Sequence, residues 1–169
     1  MTYIVRLAEN KDLPGILDIY NFEILNTKNT FDLVPKTLSQ QKQWLYDRSG
    51  VYPVLAAIEI ENGGEYRLAG FAALSPYRHR PAYATTVENS VYVDIKHRRR
   101  GVGNLLLENL ILRAKEHGFH SIIARINSNN LESQKLHEKL NYKKIGIEIE
   151  VGRKFGKWID IISYQKLLK

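Results

Sequence analysis

The spacing of apolar residues along the chain predicts eleven elements. Residues 3–7 alternate apolar and polar, the period of a strand with one buried face. Asn10-Lys11-Asp12-Leu13-Pro14 reads as a cap with proline early in a helix. Leu13, Ile16, Leu17, Ile19 and Tyr20 then line one face of that helix to about Leu25. Residues 26–35 lose the periodicity and carry Thr30 and Phe31 in a polar setting, as a plain loop or as a substrate wall. A second short helix is predicted over 39–48, with Leu38, Trp44 and Leu45 as its apolar positions. Two strands, 54–61 and 66–74, flank Asn62-Gly63-Gly64, a turn sequence typical of antiparallel hairpins.

Further on, 75–83 is a proline-punctuated connection bearing Arg78, His79 and Arg80. A long strand over 85–95 leads into Arg98-Arg99-Arg100-Gly101-Val102-Gly103-Asn104. A helix over 101–117 follows, with Gly118 as a left-handed stop. The isoleucine-rich stretch 121–126 is a strand, and polar 127–130 caps a helix over 131–140. Two closing strands, 142–151 and 158–167, surround a turn at 152–157. The order is βααβββαβαββ, without repeat or linker. It predicts one domain over residues 1–169, of α/β (α+β) class, with a mixed sheet flanked by helices.

Strand, glycine turn and helix together make an anion site of the segment 98–104. The leading N–H groups of a helix lack intrahelical acceptors, and the macrodipole is positive there. Lys96, Arg98, Arg99 and Arg100 add cationic charge. A solvated basic turn would have the same composition. Net charge is +7, from 25 basic and 18 acidic residues, so a polyphosphate partner of any kind is favoured. Nucleic acid is disfavoured because the charge is focused on one turn, aromatics are not interleaved with basic residues, and no RNP-type motif occurs. A P-loop is excluded by the absence of GxxxxGK[ST]. There is no cysteine, which rules out disulfides, thiolate metal sites and cysteine nucleophiles and suits a reducing, cytoplasmic setting. No apolar run approaches the ~20 residues of a membrane span, and no metal site is expected.

The element order, with Arg98-x-x-Gly101-x-Gly103 at the strand-to-helix turn, resembles the GCN5-related N-acetyltransferase (GNAT) superfamily. Several segments resemble its phosphinothricin and methionine sulfone/sulfoximine N-acetyltransferases: Thr30-Phe31, Tyr77-Arg78-His79-Arg80-Pro81-Ala82-Tyr83, Thr86-Val87-Glu88-Asn89-Ser90-Val91-Tyr92-Val93, Leu136-His137-Glu138-Lys139-Leu140 and Val151-Gly152-Arg153-Lys154-Phe155-Gly156-Lys157-Trp158. Two positions depart from the pattern. Arg99 stands where these enzymes often have glycine, and Asn141-Tyr142 replaces the common Gly-Phe after the last helix.

The resemblance implies a mostly antiparallel, twisted sheet and acetyl-CoA as cosubstrate, with no metal. The pyrophosphate would lie on the amides of Arg98, Arg99, Arg100, Gly101, Val102, Gly103 and Asn104, and the pantetheine arm along Val91, Tyr92 and Val93, where the strand splays from its neighbour. Asn127 and Ser133 are candidate contacts to the arm, whereas Asn130 is sufficiently explained as a helix cap. Glu88 is implied as general base, although an outward strand glutamate would look the same. His137 occupies the place of the family's general-acid tyrosine, as acid or as a plain cofactor contact. Arg78 and Arg80 are the candidates to grip an α-carboxylate, with Phe31 and Tyr83 as walls for the side chain, although a basic loop exposed to solvent would read the same. The turn bearing Lys154 would reach a partner subunit's site, which implies a homodimer. The expected reaction is direct transfer of acetyl to the α-amine of a small amino acid or analogue: phosphinothricin, methionine sulfoximine or methionine sulfone. Acetylation of a protein N-terminus or lysine is the alternative.

Overall fold

Among the described residues the predicted alternation produces seven strands that join into one sheet, and four α-helices cover its two faces. The computed structural model describes residues 2–48, 50–60 and 66–169. Its elements are β1 (Thr2–Leu7), α1 (Leu13–Asn26), α2 (Leu38–Asp47), β2 (Val54–Ile60), β3 (Tyr66–Pro76), β4 (Thr86–Val93), α3 (Val102–Glu116), β5 (Ser121–Asn127), α4 (Leu131–Lys139), β6 (Lys143–Lys154) and β7 (Lys157–Leu167). The strand order is β1-β2-β3-β4-β5-β7-β6. Every pairing is antiparallel except β4 with β5. β2 and β3 are antiparallel neighbours as expected, while Asn62-Gly63-Gly64 lies outside the described residues. Among the described residues no helix is long and apolar enough to cross a membrane.

Helix boundaries follow their caps. The Thr37 side chain accepts from the Gln40 N–H at 3.2 Å and Gln40 Oε1 accepts from the Thr37 N–H at 2.9 Å, a reciprocal pair that starts α2. Asn130 Oδ1 accepts from the Ser133 N–H at 3.1 Å and starts α4, the capping role expected of it. Asn141 adopts φ 63° just past α4, as a left-handed stop requires.

The two sheet faces carry different cores. On one, α3 packs Leu106, Leu107 and Leu110 against Leu55, Ala72, Val87 and Ile122, with Val91, Val93 and Leu136 at its edge. On the other, Ile16 and Ile19 of α1 pack with Ala56, Ile58, Leu68 and Phe71, bordered by Tyr20, Trp44 and Tyr92. Strand alternation therefore turns Val87, Asn89, Val91 and Val93 of β4 towards α3 and α4, and Glu88, Ser90 and Tyr92 towards α1 and α2.

Two expected boundaries move. β4 ends at Val93, and Ile95–His97 is a 3-10 turn rather than more strand. The turn predicted at 152–157 shrinks to Phe155 and Gly156, at φ 50° and 72°, the left-handed pair of a tight hairpin. Gly152 is no breaker. A Cβ there would lie 2.3 Å from the Phe31 ring, so the glycine allows the loop after α1 to close onto β6. Arg99 sits at φ 60°, which accounts for the residues usual at that place: the backbone is left-handed, where glycine carries no penalty.

Gly152→Ala is expected to destabilise the fold by about 1–3 kcal/mol through overpacking. Urea melts measure it, and adding Phe31→Ala should restore most of the loss. Additive losses in the double variant would mean that the ring and Gly152 do not meet.

Candidate active site

β4 pairs with β5 only through Thr86, Val87 and Glu88, opposite Ser121, Ile122 and Ile123. Beyond Glu88 the two parallel strands part, and β5 continues against β7 while β4 continues against β3. The expected splay is present. Into it opens a cleft of about 420 Å³ whose lining comes from both sheet faces. Val102, Gly103, Ser133, Leu136 and His137 line it from the α3/α4 side, and Asn29, Phe31, Glu88, Ser90, Tyr92 and Arg125 from the other. The gap is a window through the sheet.

At one end stands the glycine turn. Gly101, the residue before α3, has φ 82°, and the first bond of the helix runs from the Leu105 N–H to the Gly101 carbonyl at 3.0 Å. The amides of Val102, Gly103 and Asn104 precede that bond and form the helix's leading donors. Arg98, Arg99, Gly101, Val102 and Gly103 line the cleft; Arg100 and Asn104 do not. The arginine side chains point elsewhere than expected. The Arg98 guanidinium pairs with buried Glu23 of α1 and donates from Nε to the Val93 carbonyl at 3.2 Å. Arg99 reaches Glu132 at the start of α4, 3.1 Å away. Arg98 is thus engaged within the fold, and the leading amides of α3 stand at the end of the cleft. Glu23 was missed in the sequence, yet it follows Ile16, Ile19 and Tyr20 at helical spacing. A lone acid on an apolar face demands buried donors, and it has Arg98, Thr27 Oγ1 at 2.7 Å and Asn29 Nδ2 at 2.9 Å.

His137 is buried behind the window. Its Nδ1 lies 2.8 Å from the Ser133 carbonyl, which can only accept, so Nδ1 carries the proton. Nε2 then accepts from Asn89 Nδ2 at 3.0 Å. Burial holds the imidazole below its ordinary pKa, against the pull of the Ser133 bond. A neutral ring with both nitrogens engaged has no free proton to give. Asn89 keeps one open acceptor, because Oδ1 is buried without a partner among the described residues. Asn127, also on the lining, donates to the Lys28 carbonyl at 3.3 Å and accepts from the Asn129 N–H at 3.0 Å.

Glu88 is half-buried at the point where pairing stops, and burial raises its pKa above the usual carboxylate value. Arg125 opposes that shift and Glu148 reinforces it. Arg125 is itself held by Glu148 through two bonds, of 3.1 and 2.8 Å. Lys154, buried, donates from Nζ to the Thr30 carbonyl at 2.9 Å and does not line the cleft. It secures the loop that carries Phe31. Arg78, Arg80 and Tyr83 also lie off the lining, exposed on the segment between β3 and β4, with the Arg78 guanidinium 5.0 Å from the Tyr77 ring centroid and 5.7 Å from that of Tyr83.

The residues present suit a nucleotide thioester: backbone donors for its phosphates, an open strand edge for an amide-bearing arm, and an orphaned buried acceptor. Known proteins agree. The Acetyltransferase (GNAT) family model matches residues 16–142. The chain is 36% identical to phosphinothricin N-acetyltransferase of Streptomyces coelicolor, across 97% of this chain and 95% of that one. It is 37% identical to the L-methionine sulfoximine/L-methionine sulfone acetyltransferase of Pseudomonas aeruginosa, across 98% and 94%. A Salmonella typhimurium acetyltransferase solved with its cofactor acetyl-CoA superposes with a TM-score of 0.93 at 32% identity, over 100% of this chain and 95% of that one. A ribosomal-protein-alanine N-acetyltransferase of Brucella melitensis does so at 0.92 and 36%, over 98% and 99%. With a seven-stranded sheet parting at β4 and β5 and a match over most of its length, the chain belongs to the acetyltransferase (GNAT) family and is an acetyl-CoA-dependent N-acetyltransferase.

Proposed function

We propose that the protein acetylates the α-amine of a small amino acid analogue, of the class of phosphinothricin, methionine sulfoximine and methionine sulfone. The observation that carries this reading is the window after Glu88, which joins an anion site on one sheet face to a carboxylate of raised pKa on the other. Acetyl-CoA supplies an activated thioester. Its pyrophosphate would rest on the amides that open α3, and its arm along Val91, Tyr92 and Val93, with Ser133 and Asn127 beside it. The acceptor would approach from the α1/α2 face, where Glu88 points. There Glu88 takes a proton from the ammonium, directly or through water, and the amine attacks the carbonyl carbon. The C–N bond forms and the C–S bond breaks, and the second proton of the nitrogen passes to the departing thiolate, which leaves the amide and the free CoA thiol. Arg78 and Arg80 would hold the α-carboxylate at the rim beside Tyr83. His137, neutral and doubly bonded, serves as a fixed wall that orients Asn89. The absence of cysteine suits direct transfer in a reducing cytoplasm.

A second reading, acetylation of a protein N-terminus, is favoured by the likeness to the ribosomal-protein-alanine enzyme. A thiol-release assay with acetyl-CoA separates the two. Turnover of the sulfone, sulfoximine and phosphinate amino acids, with little on alanine-initiated peptides, is expected; the reverse preference would move the function to the second reading.

Because a base must be ionised to act, kcat/KM should rise with pH through the raised pKa of Glu88. Glu88→Gln should lower kcat about a hundredfold or more and remove that limb, with acetyl-CoA affinity kept. His137→Phe should cost far less in kcat and leave the pH profile's shape intact. A loss as large as that of Glu88→Gln would restore His137 as the general acid.

The same reading includes a homodimer. β6 is an edge strand, and its Ile145, Ile147, Ile149 and Val151 are all exposed, with Trp158 of β7 nearby. An exposed apolar edge invites a second copy. Light scattering should give twice the 19.5 kDa chain mass, and Ile147→Glu should halve it. A monomeric parent protein would overturn the dimer.

A further inference from the structure

A second cavity, of about 480 Å³, lies on the α1/α2 face of the sheet. Ser90 and Tyr92 line both this cavity and the cofactor cleft. Its floor includes Ser75, which stands opposite Glu88 in the β3–β4 register. The two spaces therefore meet beside the carboxylate that takes the amine's proton. The walls are aromatic: Tyr20, Trp44, Phe71 and Tyr92 meet edge-on or tilted, with centroids 5.3 to 6.5 Å apart.

Three charged side chains enter it. Two neutralise one another, since Lys36 Nζ lies 3.0 Å from Asp32 Oδ2, which also accepts from the Tyr20 hydroxyl at 2.8 Å. The third, Arg48 at the end of α2, is half-buried and in no ion pair with a described residue. Its guanidinium carbon lies 4.7 Å from the Trp44 ring centroid. Among the described residues the guanidinium makes one hydrogen bond, from Nη1 to the Trp44 carbonyl, long at 3.5 Å, and Nε is buried without a partner. Burial, resisted by Asp47 and Tyr20, pulls its pKa below the ordinary arginine value. A half-buried guanidinium whose Nε lacks a partner favours an anion, and its planar fork matches a tetrahedral oxyanion.

We propose that this cavity is the side-chain pocket of the acceptor and that Arg48 binds oxygens at the far end of that side chain, such as those of a phosphinate. The inference rests on the amino-acid acceptor proposed above. It assigns the acceptor's three parts: the amine at Glu88, the α-carboxylate at Arg78 and Arg80, and the oxygen-bearing chain end at Arg48. The aromatic walls take the methylenes between them. An acceptor with a terminal phosphinate is thereby preferred over one of similar length ending in a methyl group, because only the former replaces the water that the guanidinium loses.

The test compares kcat/KM for phosphinothricin with that for norleucine in the parent protein, Arg48→Met and Arg48→Lys, with acetyl-CoA affinity measured by calorimetry. The ratio should fall at least tenfold in Arg48→Met, through KM for phosphinothricin, with a smaller fall in Arg48→Lys and an unchanged acetyl-CoA Kd. An unchanged ratio, or an equal loss on both amino acids, overturns the assignment. Should Arg48→Met fail to bind acetyl-CoA, Arg48→Lys decides, because it keeps the charge and loses the fork. A parent protein that turns over peptides only defeats the acceptor reading instead. Titration with methylphosphinate then tests the pocket alone: weaker binding to the variants supports it, and equal binding overturns it.

Discussion

Everything about this site depends on where two parallel strands stop pairing. β4 and β5 share three residue pairs and then diverge, leaving the backbone of Ser90, Val91 and Tyr92 bonded on one side only. Open strand edges inside a protein carry unsatisfied donors and acceptors, so such a gap persists only where something fills it. It also ties the two faces of the sheet together. A ligand lying in the gap touches α3 and α4 on one side and is within reach of Glu88 on the other. The chemistry of a two-substrate transfer, in which donor and acceptor must meet without sharing a binding surface, follows from that geometry.

Buried charges hold the gap's two rims. Arg98 leaves the glycine turn to neutralise Glu23 on α1, fixing the end of β4 against the first helix. Lys154 crosses from β6 to the Thr30 carbonyl, and Gly152 lets Phe31 lie flat on the same strand. Breaking one partner of such a pair is expensive, because the other charge stays buried. These cations look like ligand contacts in the sequence and behave as struts in the fold. Arg99 keeps a left-handed backbone in the turn, with its exposed side chain paired to Glu132.

The fold was legible in the sequence because both periodicities are clean: alternation in the strands, and stripes such as Leu13, Ile16, Ile19 and Tyr20 in the helices. One error fell where a glycine has two explanations. Gly152 reads as a turn residue, and only the Phe31 ring, 121 positions earlier in the chain, reveals close approach as its reason. The candidate site was legible in part. Glu88, His137 and the glycine turn lie in recognisable segments and come together in the cleft, whereas the arginines were named for their charge with no sight of their partners. Glu23 left a signal, an acid on an apolar stripe. Arg48 left none, since a basic residue at a helix end is ordinarily solvated and suits the macrodipole. Its proposed role rests on the lack of an ion-pair partner among the described residues, a tertiary fact.

Glu88 shows how such pairings decide chemistry. A carboxylate facing an arginine ordinarily has its pKa pulled down, and a base so weakened would take few protons from an ammonium. Here the arginine is Arg125, and its guanidinium is already engaged by both oxygens of Glu148. Arg125 and Glu148 act on Glu88 in opposite directions, and burial, the largest influence, prevails. The shift is upward. A carboxylate whose pKa is raised holds an abstracted proton more firmly, as a general base must. Under the proposed role of Glu88 as base, the Arg125–Glu148 pair counts too although it need not touch a substrate: releasing Glu148 would free Arg125 to lower the pKa of Glu88.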